Sequence, residues 1–216
     1  MNPRALLLDF GGVLTTGHHS TFAGFCTRAG LAADALDKAL ASPAGQQARA
    51  QVETGRLAQQ GFEDVLAGLL GLPARGLLRH ILADLRPRPE VYALVRRART
   101  LGLRTGVLSN SLGTGEYDPY AGYELESSFD VVVLSDRVGL RKPDPAVFTL
   151  ALNRLGVSAP ACAFVDDSPA NPDAARRLGM TAILFNGSAS GLGQIEKLIT
   201  ANRETQECKI DKGHRR

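Results

Sequence analysis

The stretch "LLLDFGGVLTT" (residues 6–16) decides the fold. An apolar run, "ALLLD" at 5–9, reads as a short buried strand that ends on one carboxylate, Asp9, before a glycine turn. Four further places repeat or extend that grammar. "RTGVLS" (104–109) and "DVVVLS" (130–135) read as strands ending on small polar residues, "ACAFVDD" (161–167) as a strand ending on two acids, and "TAILF" (181–185) as the last strand. Helical stretches alternate with them. Val91, Leu94, Val95, Ala98 and Leu101 form one apolar stripe, residues 145–155 another, and 170–178 a helix closed by Gly179. Strands alternating with helices imply an α/β fold, a parallel sheet with helices on both faces.

Residues 20–85 differ. They are rich in Ala and Leu, with helical spacing over 20–30, 33–42, 45–54, 59–70 and 75–84. "RPRP" (86–89) reads as a linker. After about Thr200 the chain has no apolar period, and residues 201–216 are expected to be a disordered tail.

Bulk properties narrow the functions. The chain of 216 residues is 44% hydrophobic and 22% charged, with a formal charge of +3, ordinary values for a soluble globular protein. No basic stripe with interleaved aromatics appears, so no nucleic-acid partner is expected. The first apolar run, Ala5 to Leu8, is too short for a signal segment or a bilayer span. Cys26, Cys162 and Cys208 have no spacing pattern and fit reduced thiols in a cytoplasm.

In open parallel sheets, ligands bind beyond the carboxyl ends of the strands. Those ends carry Asp9, Ser109 with Asn110, and Asp166 with Asp167; Lys142 lies nearby in "GLRKPDP". Three carboxylates together repel and call for a cation, and oxygen donors without Cys or His suit Mg²⁺. Such an ion leaves positions for phosphate oxygens. Ser109 and Asn110 can donate to those oxygens, Lys142 can neutralise a transferring phosphoryl group, and Asp9 can act as nucleophile.

"LLLDFGGVL", "VLSNS", "GLRKPDPAVF" and "FVDDSPANPDAARRLGM" resemble, in order, the four motifs of the haloacid dehalogenase-like hydrolase superfamily, over roughly residues 5–186. The helical insertion resembles the small cap of a subgroup that includes sugar-phosphate phosphatases and the phosphatase domain of soluble epoxide hydrolase. The resemblance implies a Rossmann-like core (1–14 and 89–200) with strand order 5-4-1-2-3 and a helical-bundle cap at 15–88. It makes Asp9 the nucleophile, Gly12, Ser109 and Asn110 phosphate-binding residues, and Lys142 the motif lysine, which also binds phosphate. Mg²⁺ would be held by Asp9, the Gly11 carbonyl and Asp167, with Asp166 a ligand through water or a partner of Lys142. The implied activity is phosphatase action on a small phosphorylated metabolite such as a sugar phosphate. A 2-haloacid dehalogenase and a weakly catalytic binding member are the alternatives.

Gly11 departs from the pattern, because phosphatases of this superfamily generally carry there an Asp that serves as general acid and base. A cap residue, a water or the substrate could stand in. His18 and His19, at the entry to the cap, are candidates, although a solvated hinge loop is the preferred reading. Glu116, Tyr117 and Tyr120 either read substrate or only form a loop. Arg49, Glu53 and Arg56 either set specificity or make a solvated face.

Overall fold

The computed structural model describes residues 2–213 except Thr114; the side chains of His18, His19 and residues 202–213 are outside the description. Five parallel strands form one sheet: β1 (Ala5–Leu8), β2 (Arg104–Ser109), β3 (Val131–Leu134), β4 (Cys162–Asp166) and β5 (Thr181–Leu184), in the order β3-β2-β1-β4-β5. Central β1 pairs with β2 from Ala5–Arg104 to Leu8–Val107, and with β4 from Ala5–Cys162 to Leu8–Val165. The α/β class and the strand order are those expected from the sequence.

Alternation along β1 sends side chains to opposite faces. Leu6 and Leu8 join one core cluster with Val107 and Val165; Ala5 and Leu7 join a second with Leu108 and Phe164. Of the helices, α1 (His18–Arg28), α2 (Ala35–Ala41), α3 (Pro43–Val52), α4 (Gln59–Leu70) and α5 (Leu77–Ile81) lie in the insertion. The others are α6 (Pro89–Thr100), α7 (Leu125–Ser128), α8 (Ser135–Val138), α9 (Pro145–Leu155), α10 (Ala170–Arg177) and α11 (Ala189–Gly213). The α6 residues Val91 and Val95 and the α11 residues Ile195 and Ile199 cover the first face. The second face is covered by Val147 and Phe148 of α9 and Ala174 and Ala175 of α10.

Helix α11 runs to Gly213, so most of the stretch expected to be a disordered tail is helical. The apolar period fails there, but the segment has no proline to stop a helix already anchored by Ile195 and Ile199.

The inserted helices have their own core. Phe25, Leu36, Val52, Phe62, Leu66 and Leu78 belong to a third cluster, separate from the two that flank the sheet. Both connections to the sheet run side by side: Thr16 N donates to Arg86 O at 2.8 Å and Arg88 N to Leu14 O at 2.9 Å, around an antiparallel bridge between Thr15 and Pro87. The prolines of "RPRP" serve this junction and start α6, with Pro89 in its first turn.

Candidate active site

Each polar side chain expected at a strand end is placed by the local fold. Asp9 directly follows β1. Residues Phe10–Leu14 then make a wide turn in which Thr15 N donates to Phe10 O at 3.1 Å. Gly12 has φ +77°, and a Cβ there would come within 1.9 Å of Asp167 Oδ2. Glycine therefore does two things at this position: it takes the left-handed conformation and it makes room for a carboxylate. Asp9 and Asp167 meet across the strand ends for that reason.

Lys142 is the hub. Its Nζ donates to Asp9 Oδ1 and to Asp166 Oδ2, both at 2.7 Å, and the residue is only 1% exposed. Asp166 is fully buried, and its Oδ1 accepts from Ser168 N and Asn171 Nδ2, both at 2.9 Å. Asp166 thus pairs with Lys142, one of the two roles expected for it, and both of its oxygens also meet protein donors. Asn110 holds the lysine's backbone: Lys142 N donates to Asn110 Oδ1 at 2.8 Å, and Asn110 Nδ2 donates to Lys142 O at 3.0 Å. The Asn110 amide, expected to face phosphate, thus spends its oxygen and one hydrogen on this loop and retains one hydrogen for a ligand. In "RKPDP" the turn and the site coexist. Asp144 Oδ1 accepts from Ala146 N at 2.8 Å and caps α9, with Pro145 in its first turn.

The electrostatics are those of a site short of positive charge. Carboxylate oxygens of Asp9, Asp166 and Asp167 lie within 4.8 Å of one another, against the one lysine. Burial pushes Asp9 up to about 7, with Lys142 pulling against it and Asp166 adding to it. Burial likewise raises Asp167 to about 6, helped by the charge of Asp166. Burial opposes the charge on Lys142, but Asp9 and Asp166 outweigh it and hold the ammonium above its usual range. Three hard oxygen donors, two of them reluctant to ionise without a cation, fit a divalent ion of the Mg²⁺ type.

Asp9, Lys142 and Asp167 line a cleft of about 290 Å³ between the sheet and the inserted helices, with Gly11, Ser109 and Tyr120 in its wall. Tyr120, left open by the sequence, is part of it. Its hydroxyl lies 3.0 Å from Ser109 Oγ, and burial pushes its pKa up to about 12. Glu116 and Tyr117 stand apart: Glu116 pairs with exposed Arg75 at 3.6 Å, and Tyr117 lies under the Arg79 guanidinium. The candidate role of His18 and His19 falls on side chains outside the described residues.

The three cap residues divide. Arg56 is exposed and donates to Thr54 Oγ1 at 3.0 Å, as a solvated face would have it. Glu53 is 1% exposed. It accepts from Arg49 Nε at 2.7 Å, and its other oxygen lies 2.9 Å from Arg141 Nε across the seam. Arg49 and Arg141 both line the cleft. Arg141, Ser168 and Asn171 were missed by the sequence reading. Ser168 and Asn171 had a signal in their place two and five residues after Asp166; Arg141 had only its position beside Lys142.

The described residues contain no helix long and apolar enough to cross a membrane. Among curated proteins, the phosphoserine phosphatase of Thermus thermophilus is 32% identical over 120 residues, 53% of this chain and 48% of that protein. The matches to the first relatives cover between 10% and 56% of those proteins' own lengths. Solved structures share the fold. A haloacid dehalogenase-family enzyme from Bacteroides thetaiotaomicron, in complex with magnesium and inorganic phosphate, superposes with TM-score 0.60 at 19% identity, over 87% of this chain and 96% of that one. The L-2-haloacid dehalogenase of Xanthobacter autotrophicus gives 0.62 at 21%, over 83% and 76%. The family model for haloacid dehalogenase-like hydrolases matches residues 3–179, and the chain belongs to that family of enzymes.

Proposed function

We propose that this hydrolase is a Mg²⁺-dependent phosphatase acting on a small phosphate monoester through an aspartyl-phosphate on Asp9. The observation that carries the reading is the meeting of Asp9, Asp167 and Lys142 in one cleft, with carboxylate oxygens within 4.8 Å and the lysine 2.7 Å from Asp9. The fold alone does not choose, since a dehalogenase shares it. A trio of acids with a single lysine favours a metal and a phosphoryl group over a neutral carbon–halogen bond.

In this reading Asp9, Asp167 and the Gly11 carbonyl hold the ion, which when bound neutralises charge on the phosphoryl oxygens. Lys142 adds its own charge there, anchored by Asp166 behind it. Ser109, oriented by Tyr120, and the remaining Asn110 hydrogen bind phosphoryl oxygens, with Gly12 shaping the turn beneath. Asp9 attacks phosphorus as the bond to the leaving oxygen breaks, and that oxygen departs with the electron pair. Gly11 offers no proton, so water gives it, and the hydroxide left behind hydrolyses the acyl phosphate. One water is consumed in total. Buried free Cys26 and Cys162 accord with a reducing, cytoplasmic setting.

The test is phosphate release from acetyl phosphate and a panel of monoesters, with Mg²⁺ and with chelator. Turnover that needs Mg²⁺ and disappears in Asp9→Asn supports the reading. Chloride release from 2-chloropropionate in chelator, without phosphatase turnover, overturns it.

A further inference from the structure

A second cavity, of about 260 Å³, continues the cleft into the inserted helices. The two share Arg49, Leu82, Asn110, Leu112, Asp167 and Ser168 at their junction. Polar lining is confined to that end and to Glu53, whose Oε1 accepts from Arg49 and whose Oε2 lies 2.9 Å from Arg141 Nε in an ion pair but accepts no hydrogen bond. Beyond it the walls are Leu36 and Leu40 of α2, Phe62 and Leu66 of α4, and Leu78 and Ile81 of α5. The phosphoryl end of a substrate at Asp9 would therefore point its leaving group into an apolar chamber.

A hydroxylated leaving group fits that chamber badly. Its hydroxyls would give up water and find no donor or acceptor among those six walls, and an unpaired buried hydroxyl costs on the order of tenfold or more in binding. An apolar leaving group gains about fourfold per methylene buried. We propose that the substrate is the phosphate monoester of an apolar alcohol or phenol, with its hydrocarbon body in this chamber, and that sugar phosphates are poor substrates. The proposal rests on the phosphatase reading of the same site. Bonds and protons follow the scheme above, with the apolar alcohol as the departing oxygen.

The experiment is kcat/KM, with Mg²⁺, for n-alkyl phosphates from ethyl to decyl, phenyl phosphate, glucose 6-phosphate and ribose 5-phosphate. Acetyl phosphate serves as the probe of the chemistry itself. The expected result is a rise of about fourfold per methylene up to a limiting length, with both sugar phosphates below butyl phosphate. Leu40→Phe, at a partly exposed wall position, should move the limit to shorter chains. Acetyl phosphate hydrolysis with a flat alkyl series, a sugar preference, or an unmoved limit in Leu40→Phe overturns the apolar chamber and leaves the phosphatase standing. No turnover of acetyl phosphate or of any monoester overturns both.

Discussion

Glu53 Oε2 lies 2.9 Å from Arg141 Nε, across the seam between the inserted helices and the sheet. Arg141 immediately precedes Lys142, so the contact ties the seating of the helices to the loop that carries the site's cation. Glu53→Ala removes a buried carboxylate with two guanidinium partners. The two arginines are partly exposed and can rehydrate, which keeps the expected cost to about 1–3 kcal/mol in urea unfolding. The kcat/KM should fall as well, and Glu53→Gln, which keeps the hydrogen bond from Arg49, should recover part of both losses.

Lys142→Ala should do more damage. It leaves Asp9 and Asp166 buried without their cation, at a cost of about 3–5 kcal/mol. The deficit should shrink at pH 5, where Asp9, raised by burial to about 7, takes up a proton instead. Phosphatase turnover should be lost at every pH. Urea unfolding at pH 5 and pH 8 in chelator reads the first effect, and a phosphate-release assay reads the second.

Metal binding should depend on pH in a defined direction. Asp9 is raised to about 7 and Asp167 to about 6, mainly by burial, above the roughly 3.9 of an unfolded aspartate. The metal-free folded state therefore binds more protons than the unfolded chain between about pH 4 and pH 7. Its stability is highest on the acid side of that window and falls as pH rises through it. A cation must displace those protons, so Mg²⁺ affinity should rise from pH 5.5 to pH 8. Titration calorimetry across that range, and thermal unfolding with and without Mg²⁺, check both slopes. Equal Mg²⁺ stabilisation at pH 5.5 and pH 8 would contradict the assignment.

Gly11→Asp should restore an acid. The backbone at Gly11 has φ −70° and ψ 129°, which any L-residue adopts without strain. General acid help is worth about 10²–10⁴-fold, and most for poor leaving groups. The variant should therefore gain at least about tenfold on alkyl phosphates and little on acetyl phosphate. The wild type should show a steep dependence of rate on leaving-group pKa, and the variant a shallow one.

Gly55→Ala should loosen the helical unit. Gly55 has φ +68°, and a Cβ there would come within 2.4 Å of Asp136 O, on the sheet side of the seam. The expected loss is about 1–3 kcal/mol, together with a higher KM. Gln59 supports the same seam, donating to Gly113 O at 3.0 Å and Tyr117 O at 2.9 Å. Gln59→Ala should raise KM in the same direction.

Much of this was legible because strand ends are local. "LLLDFGG" and "AFVDDS" each show an apolar run stopping at acids, and parallel strands must bring such ends to one edge. The roles of Glu53 and Asn110 were not legible. Helical spacing placed Glu53 beside Arg49, but only the docking of α3 against the Arg141 loop buries it. Asn110 looked like a phosphate donor until Lys142 took most of its amide.

The sequence by itself determined the α/β alternation, the inserted helices, and the identity of Asp9, Lys142, Asp166 and Asp167 as the charged set. Periodicity and turn chemistry act over a few residues, so one chain suffices to read them. The tertiary structure decided that Lys142 bridges Asp9 and Asp166, why Gly12 must be bare, and that the cleft opens into an apolar chamber. Those depend on distances between segments more than a hundred residues apart, such as Asp9 and Lys142, which only the packed sheet and its seated helices bring into contact.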